Sequence, residues 1–110
     1  MGKIVKFDSS NKEWKEQYGD RFCFVDDFII DDEGDVFGLA KALDITEEEL
    51  RENSAFKITP KRVVVRKGIP VNLITMKGEY NLPLVSVNGI KFELLAFADD
   101  KWPTRVEILD

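Results

Sequence analysis

Residues 82–98 are mostly apolar, and apolar residues alternate with polar ones on both sides of Asn88-Gly89, which lies near the middle of this stretch. Asn-Gly between alternating apolar residues is typical of a two-residue β-hairpin turn, because both central positions need a positive φ. Such a turn fixes the register and places three apolar pairs on one face of the hairpin. The predicted pairs are Val87–Ile90, Val85–Phe92 and Pro83–Leu94. We expect this hairpin to be the centre of the fold.

A first helix is predicted from Ser10, because Ser10 and Glu13 have the spacing of a capping box. Gly19 can end this helix in a left-handed conformation. On the predicted helix Trp14 and Tyr18 lie one turn apart on the same face, so Trp14 is expected to pack against the sheet.

Two further helices are predicted after the polar turn 31–35. Apolar residues recur at the i, i+3, i+4 and i+7 positions of residues 36–43, which favours a helix that Asp35 caps. A returning hairpin strand over Val36 to Leu39 is the alternative. The next helix begins at Thr46, which forms a second capping box with Glu49, and it ends near Asn53. Leu50 is its main apolar residue.

The remaining apolar segments are predicted strands. They are Lys3–Phe7 at a possible sheet edge, Arg21–Ile30 with a bend at Asp26-Asp27, Arg62–Arg66, Val71–Met76 and Thr104–Leu109, the last after a turn at Asp99–Lys101. Because the strands after Ala55 follow one another through short connections, they predict an antiparallel meander. The predicted fold is a single α+β domain over residues 1–110, a mostly antiparallel twisted sheet packed against a few short helices.

Composition narrows the possible functions. The chain of 110 residues contains no histidine, which removes the commonest general base and the usual catalytic zinc ligand. We therefore expect a protein that is not an enzyme and uses no cofactor. The single cysteine, Cys23, is expected to be a small buried residue. No apolar run is long enough to span a membrane, and a cytoplasmic location is expected.

Charge is unevenly distributed along the chain. Residues 20–52 contain twelve acidic and three basic residues, whereas residues 55–110 contain nine basic and six acidic ones. Acidic helix starts and lysines at strand edges explain part of this asymmetry. The remainder indicates a partner that is recognised electrostatically.

The acidic turn resembles the start of a calcium-binding EF-hand loop, because Asp31, Glu33 and Asp35 have the spacing of its first three ligands. Val36 stands where that loop needs glycine, and Ala42 stands where it needs a bidentate glutamate. The EF-hand pattern therefore fails, and the sequence predicts no metal site; a looser divalent-cation site at Asp26, Asp27, Asp31 and Asp35 is the alternative.

Residues 36–53 resemble the helix-turn-helix of small phage and bacterial repressors. Ala40 stands at the small-residue position of that motif, Asp44 at the turn position usually held by glycine, and Ile45 and Leu50 at apolar positions. The resemblance implies a DNA-binding regulator. Recognition helices carry positive charge toward phosphates, however, and the glutamates of the second helix argue against direct nucleic-acid binding.

The leading functional hypothesis is a small protein-binding module whose acidic segment, residues 26–52, binds a basic surface on another protein. An inhibitor that imitates nucleic acid is one form of this hypothesis. The predicted partner-binding residues are Asp31, Asp32, Glu33, Asp35, Glu47, Glu48 and Glu52. The alternatives are the DNA-binding regulator and a structural subunit of a larger assembly, and the oligomeric state is left open. We further expect the acids of the turn to have no structural partner, and the Arg62–Arg66 strand to bury alternate valines.

Overall fold

The computed structural model of the protein describes residues 2–98, 101 and 104–109. These residues form nine strands and three short helices. In chain order the elements are β1 (Ile4–Lys6), α1 (Trp14–Tyr18), β2 (Arg21–Phe24), β3 (Phe28–Asp31), α2 (Val36–Ala42), α3 (Glu47–Glu52), β4 (Phe56–Ile58), β5 (Val63–Val65), β6 (Val71–Thr75), β7 (Leu84–Val87), β8 (Ile90–Glu93) and β9 (Arg105–Ile108).

The strands form two antiparallel sheets. The larger has the order β1-β9-β2-β6-β7-β8 and the smaller has the order β3-β5-β4. The α+β class with antiparallel sheets is therefore confirmed, and β1 lies at an edge as expected. The predicted C-terminal meander is present in β6, β7 and β8, but it does not extend to β5, which pairs in the smaller sheet, or to β9, which lies between β1 and β2. After β5 the Gly68 N–H donates to the Phe24 carbonyl oxygen at 3.0 Å, which directs the chain to the larger sheet beside β2.

The Asn88-Gly89 hairpin is confirmed, but the expectation that it is the centre of the fold is wrong, because β7 and β8 lie at one end of the larger sheet. Asn88 has a φ of 49° and Gly89 a φ of 87°, as a type I′ turn requires. The predicted pairs Val87–Ile90 and Val85–Phe92 are present, and the Leu94 N–H donates to the Pro83 carbonyl oxygen. All six side chains of the predicted apolar face are buried.

The first helix begins later than predicted. It starts at Trp14, and the residue at its N-cap, Glu13, makes no side-chain capping bond. The predicted capping box is wrong because Asn11 Oδ1, not Ser10, accepts the hydrogen bond from the Glu13 N–H, at 3.1 Å. Ser10 instead donates to Asp8 Oδ1, from its N–H at 2.9 Å and from its hydroxyl at 2.6 Å. Ser10 therefore belongs to a turn before the helix. Gly19 does end the helix with a positive φ of 104°, but its ψ of −173° is extended, not left-handed helical.

The apolar run from Arg21 to Ile30 divides between the two sheets. The bend at Asp26-Asp27 is present, and each aspartate has a partner. Asp26 forms an ion pair with Arg105 at 2.8 Å, and Asp27 accepts a hydrogen bond from the Lys67 N–H at 2.9 Å. These contacts hold the point at which β2 ends in the larger sheet and β3 begins in the smaller one.

The predicted burial of alternate valines in β5 is wrong. Val63, Val64 and Val65 are all buried, because β5 is the central strand of the smaller sheet and both of its faces are covered. One neighbour of β5, β4, is a strand that the sequence pattern did not predict. Part of the predicted turn at Asp99–Lys101, namely Asp99 and Asp100, lies outside the described residues.

An aromatic cluster fills the core on one side of the larger sheet. Phe22 of β2 lies 5.1 Å from Phe7, 5.4 Å from Trp14 and 5.6 Å from Phe24 between ring centroids. Trp14 donates its indole N–H to the Lys6 carbonyl oxygen at 3.0 Å, and its ring lies 5.0 Å from that of Tyr18. The expected packing of Trp14 against the sheet is confirmed.

Candidate protein-binding surface

The helical alternative for residues 36–43 is confirmed. Asp35 is the N-cap residue of α2, and its Oδ1 accepts a hydrogen bond from the Gly38 N–H at 2.8 Å. Val36 and Ala40 face the core and are buried. The i, i+4 spacing of these two residues is therefore the stripe by which α2 packs against the body of the protein.

The turn between α2 and α3 is a Schellman motif. The Ile45 N–H donates to the Ala40 carbonyl oxygen at 3.0 Å, and the Asp44 N–H donates to that of Lys41 at 3.1 Å. Asp44 has a φ of 58°, so an aspartate occupies the left-handed position that glycine usually fills. The resemblance to a helix-turn-helix correctly placed the turn at this residue.

Replacing Asp44 by glycine should stabilise the protein. A left-handed φ strains any residue with a Cβ, and a carboxylate near the C-terminus of α2 is unfavourable for the helix dipole. We expect Asp44→Gly to raise the free energy of unfolding by about 0.5–1 kcal/mol, measured by urea denaturation. Asp44→Ala removes the charge but keeps the Cβ, so it should gain less. Equal gains for the two variants would show that backbone strain is not the cause.

The helix α3 begins as the second capping box predicts. Thr46 Oγ1 accepts a hydrogen bond from the Glu49 N–H at 3.0 Å, and Leu50 is fully buried. The helix ends at Asn53. We call residues 35–53, which include both helices and their caps, the helical unit. It contains six acidic and two basic residues.

The acidic turn that precedes the helical unit is more structured than expected. Asp31 Oδ1 accepts hydrogen bonds from the N–H groups of Glu33 and Gly34, at 2.9 and 3.1 Å, and Asp35 caps α2. The expectation that these acids have no structural partner is therefore wrong for Asp31 and Asp35. Among the described residues, the carboxylates of Asp32 and Glu33 show no hydrogen bond or ion pair.

The separation of charge along the chain is not a separation in space. Because β3 pairs with β5, the acidic turn lies next to the basic turn between β4 and β5. A Cβ on Gly34 would lie 2.5 Å from the Pro60 carbonyl oxygen and 3.1 Å from Lys61 Cα. Only a glycine, here with a φ of 78°, allows the two turns to lie so close. Basic residues therefore border one side of the predicted acidic surface.

A groove of about 770 Å³ lies between α2 and α3. Its apolar part contains Phe37, Ala40 and Ile45, and its charged part contains Lys41, Asp44, Glu47, Glu48 and Arg51. Phe37 is 67% exposed although it is a large apolar residue. Glu47 is paired with Arg51 at 3.0 Å, which leaves Asp44 and Glu48 as the acids of the groove without an ion pair among the described residues.

The seven predicted binding residues are therefore not all in one place. Glu47 and Glu48 line the groove, and Glu52 is exposed at the end of α3 outside its lining. The four acids of residues 31–35 precede the groove. Phe37 and Asp44 are the groove residues that the sequence reasoning missed. A signal for Phe37 was present, because this phenylalanine lies off the apolar stripe of its own helix.

Other parts of the molecule offer little chemistry. Cys23 is buried; burial, and secondarily the negative charge of Glu107, raises the pKa of its thiol, which disfavours the reactive thiolate. Within the described ranges, no three His, Cys, Asp or Glu side chains are grouped so that they could hold a metal ion. No helix in the same residues has the length and hydropathy needed to cross a bilayer.

Comparison of the chain with protein-family models, curated proteins and solved structures finds no match. A function for this protein must therefore be inferred from the chemistry of its own surfaces.

Proposed function

We propose that this protein is a small non-enzymatic binding module, and that its helical unit with the preceding acidic turn binds a basic surface on another protein. The observation that carries the proposal is Phe37, an aromatic side chain 67% exposed at the rim of the groove between α2 and α3, whose lining contains three acidic and two basic residues. Exposed aromatic residues beside a concave surface are enriched at protein interfaces, where they supply much of the binding energy.

The charges around Phe37 favour a basic partner. From Asp31 to Asn53 the chain has nine acidic and two basic residues, a net charge of −7, and the basic turn between β4 and β5 borders this surface on one side only. Complementary charge steers association and selects the partner, while the desolvated aromatic residue provides affinity. A cytoplasmic protein that occupies the basic groove of a nucleic-acid-handling enzyme is one form of such a module.

The same charges oppose the DNA-binding alternative. Ala40 and Leu50 are buried as a helix-turn-helix requires, which is the observation in favour of that alternative. The exposed side of α3, however, presents Glu48, Glu49 and Glu52. Carboxylates in these positions would face phosphates and repel them.

Capture of the partner from host lysate at two salt concentrations tests the proposal. A complex that depends on charge should be recovered at about 50 mM salt and lost at about 0.5 M, because salt screens exposed charges. The double variant Glu48→Lys/Glu52→Lys should recover much less of the partner at low salt. The matched control is Glu13→Lys/Glu16→Lys, which makes the same change of charge on exposed residues of and beside α1.

Three results would contradict the proposal. The first is that no partner is recovered at low salt, and the second is that recovery is indifferent to salt. The third is an equal loss in the two double variants, which would mean that overall charge alone attracts basic proteins. A gel shift with genomic DNA fragments tests the alternative, since a specific shift by the unmodified protein would favour the regulator.

A further inference from the structure

A second groove, of about 590 Å³, lies on the other side of α2. It is bordered by Phe28, Ile29 and Ile30 from β3 and by the segment 91–95 from β8 and the residues after it. Both strands are edge strands: β8 ends the larger sheet and β3 ends the smaller one in the described part of the chain. The groove therefore lies between the open edges of two sheets.

The backbone groups along β8 that face this groove follow from the hairpin register. In a hairpin with a two-residue turn, the two residues that flank the turn form a pair joined by backbone hydrogen bonds. Beyond them, every second pair of opposite residues is joined in the same way. Ile90, Phe92 and Leu94 therefore bond to β7, as the Leu94 N–H to Pro83 bond shows. The N–H and C=O groups of Lys91 and Glu93 point in the opposite direction, to the open edge.

The groove has an apolar lining and a rigid wall. Three of its large apolar side chains are exposed: Ile29 at 43%, Tyr80 at 75% and Leu95 at 53%. The wall formed by residues 79–82 is held by the Glu93 carboxylate, which accepts hydrogen bonds from the N–H groups of Tyr80 and Leu82 at 3.0 and 3.2 Å. A wall fixed in this way is preorganised for a ligand.

We propose that this groove binds an extended segment of another protein, which adds to β8 as a further strand of the larger sheet. Unpaired edge groups supply main-chain hydrogen bonds in this mode of recognition, and alternate side chains of the added strand supply specificity. The charges of the groove define the segment. The Glu93 carboxylate already accepts hydrogen bonds from the wall, so the charged groove residues that can contact the segment are Lys91 and Glu79. The segment should carry an acidic residue opposite Lys91 and a basic residue near Glu79, with apolar residues alternating between them.

A second copy of the chain fits this groove less well. Leu39 and Leu43 of α2 form the opposite side of the groove together with Ile29. The β8 strand of a second copy would offer Lys91 only Glu93, whose carboxylate already accepts hydrogen bonds from the N–H groups of Tyr80 and Leu82. This inference does not depend on the function proposed for the helical unit, because the surface and the charge of the ligand differ.

Selection from a displayed library of random peptides tests the inference, with peptides of about ten residues to match the upper length of a strand. We expect enriched peptides with apolar residues at every second position and an acidic residue among them. In complex with the selected peptide, the amide protons of Lys91, Glu93 and Leu95 should become protected from hydrogen exchange. Those of Ile90 and Phe92 are already bonded to β7 and should change little.

Two variants separate strand addition from simple apolar contact. Lys91→Pro removes the outward N–H without removing a bond to β7, since edge positions of this kind tolerate proline. It should weaken binding of the selected peptide at least tenfold, whereas Lys91→Ala should weaken it less. Tyr80→Ala alters the groove at an exposed residue, so it provides a second test if Lys91→Pro fails to fold.

Several results would overturn the inference. They are the absence of any enriched peptide, enriched peptides without alternation, and equal binding by Lys91→Pro and Lys91→Ala. Protection of the Lys91 and Glu93 amides that rises with protein concentration, in the absence of peptide, would show that a second copy occupies the edge. That result would also overturn the proposed partner.

Discussion

Phe22→Ala should lower the free energy of unfolding by about 3–5 kcal/mol, the usual cost of truncating a buried aromatic residue. Phe22 is fully buried and contacts the rings of Phe7, Trp14 and Phe24. These rings come from different parts of the chain, so the cavity cannot close by moving one of them. Urea denaturation followed by tryptophan fluorescence measures the effect.

Two comparisons give this result its meaning. Val64→Ala in the smaller sheet should cost about 2–4 kcal/mol, because Val64 is also buried. Asp32→Asn/Glu33→Gln, at the unpartnered acids of the turn, should change stability by less than about 0.5 kcal/mol. A large loss from this double variant would show that the two acids hold the fold together, and the proposed binding surface would lose part of its basis. A small effect of Phe22→Ala would mean that the aromatic cluster is not the core.

Phe37→Ala should lower the affinity for the captured partner by about 30-fold or more, which corresponds to about 2 kcal/mol, the size expected for a central aromatic residue in an interface. The melting temperature should hardly change, because Phe37 is exposed and packs little against the core. Isothermal titration calorimetry with the purified partner measures the affinity.

Tyr80→Ala is the matched control for Phe37→Ala, since it removes another exposed aromatic ring that lies outside the groove between α2 and α3. It should leave the affinity for this partner unchanged. If Phe37→Ala binds as well as the unmodified protein, or if both variants lose the same affinity, the groove is not the centre of the interface.

The features predicted correctly from the sequence are local ones. The hairpin register follows from Asn88-Gly89 and a period of two, and both are contained within a few residues. The helix over 36–42 and the start of α3 follow from a period of 3.6 and from the caps Asp35 and Thr46. In each of these cases the hydrogen bonds that decide the structure join near neighbours in the sequence.

The features that were missed depend on distant contacts. The division of Arg21 to Ile30 into two strands depends on partners that are distant in sequence, because β2 pairs with β6 and β9 whereas β3 pairs with β5. The burial of Val64 depends on β3 and β4 on either side of β5. Ser10 failed as a helix cap for a different reason, because a nearby competitor, the side chain of Asn11, accepts the Glu13 N–H that Ser10 was expected to cap.

In the candidate site, too, most features visible along the sequence were predicted and those that depend on packing were missed. Sequence reasoning identified the acidic segment and the pair of helices, because charge and periodicity can be seen along the chain. It did not identify Phe37, although this residue lies off the apolar stripe predicted for its helix, because the reasoning followed charge and did not consider apolar residues outside that stripe. It also did not show that the basic turn at Pro60–Lys61 lies against the acidic turn at Gly34.

Hydrogen exchange of the protein with and without its captured partner tests the central proposal most directly. If the helical unit is the binding surface, exchange should slow in residues 36–52, with the largest change around Phe37 and the start of α3. The larger sheet should exchange at the same rate in both states. Protection confined to the strands of the larger sheet, with no change in α2 and α3, would contradict the proposal.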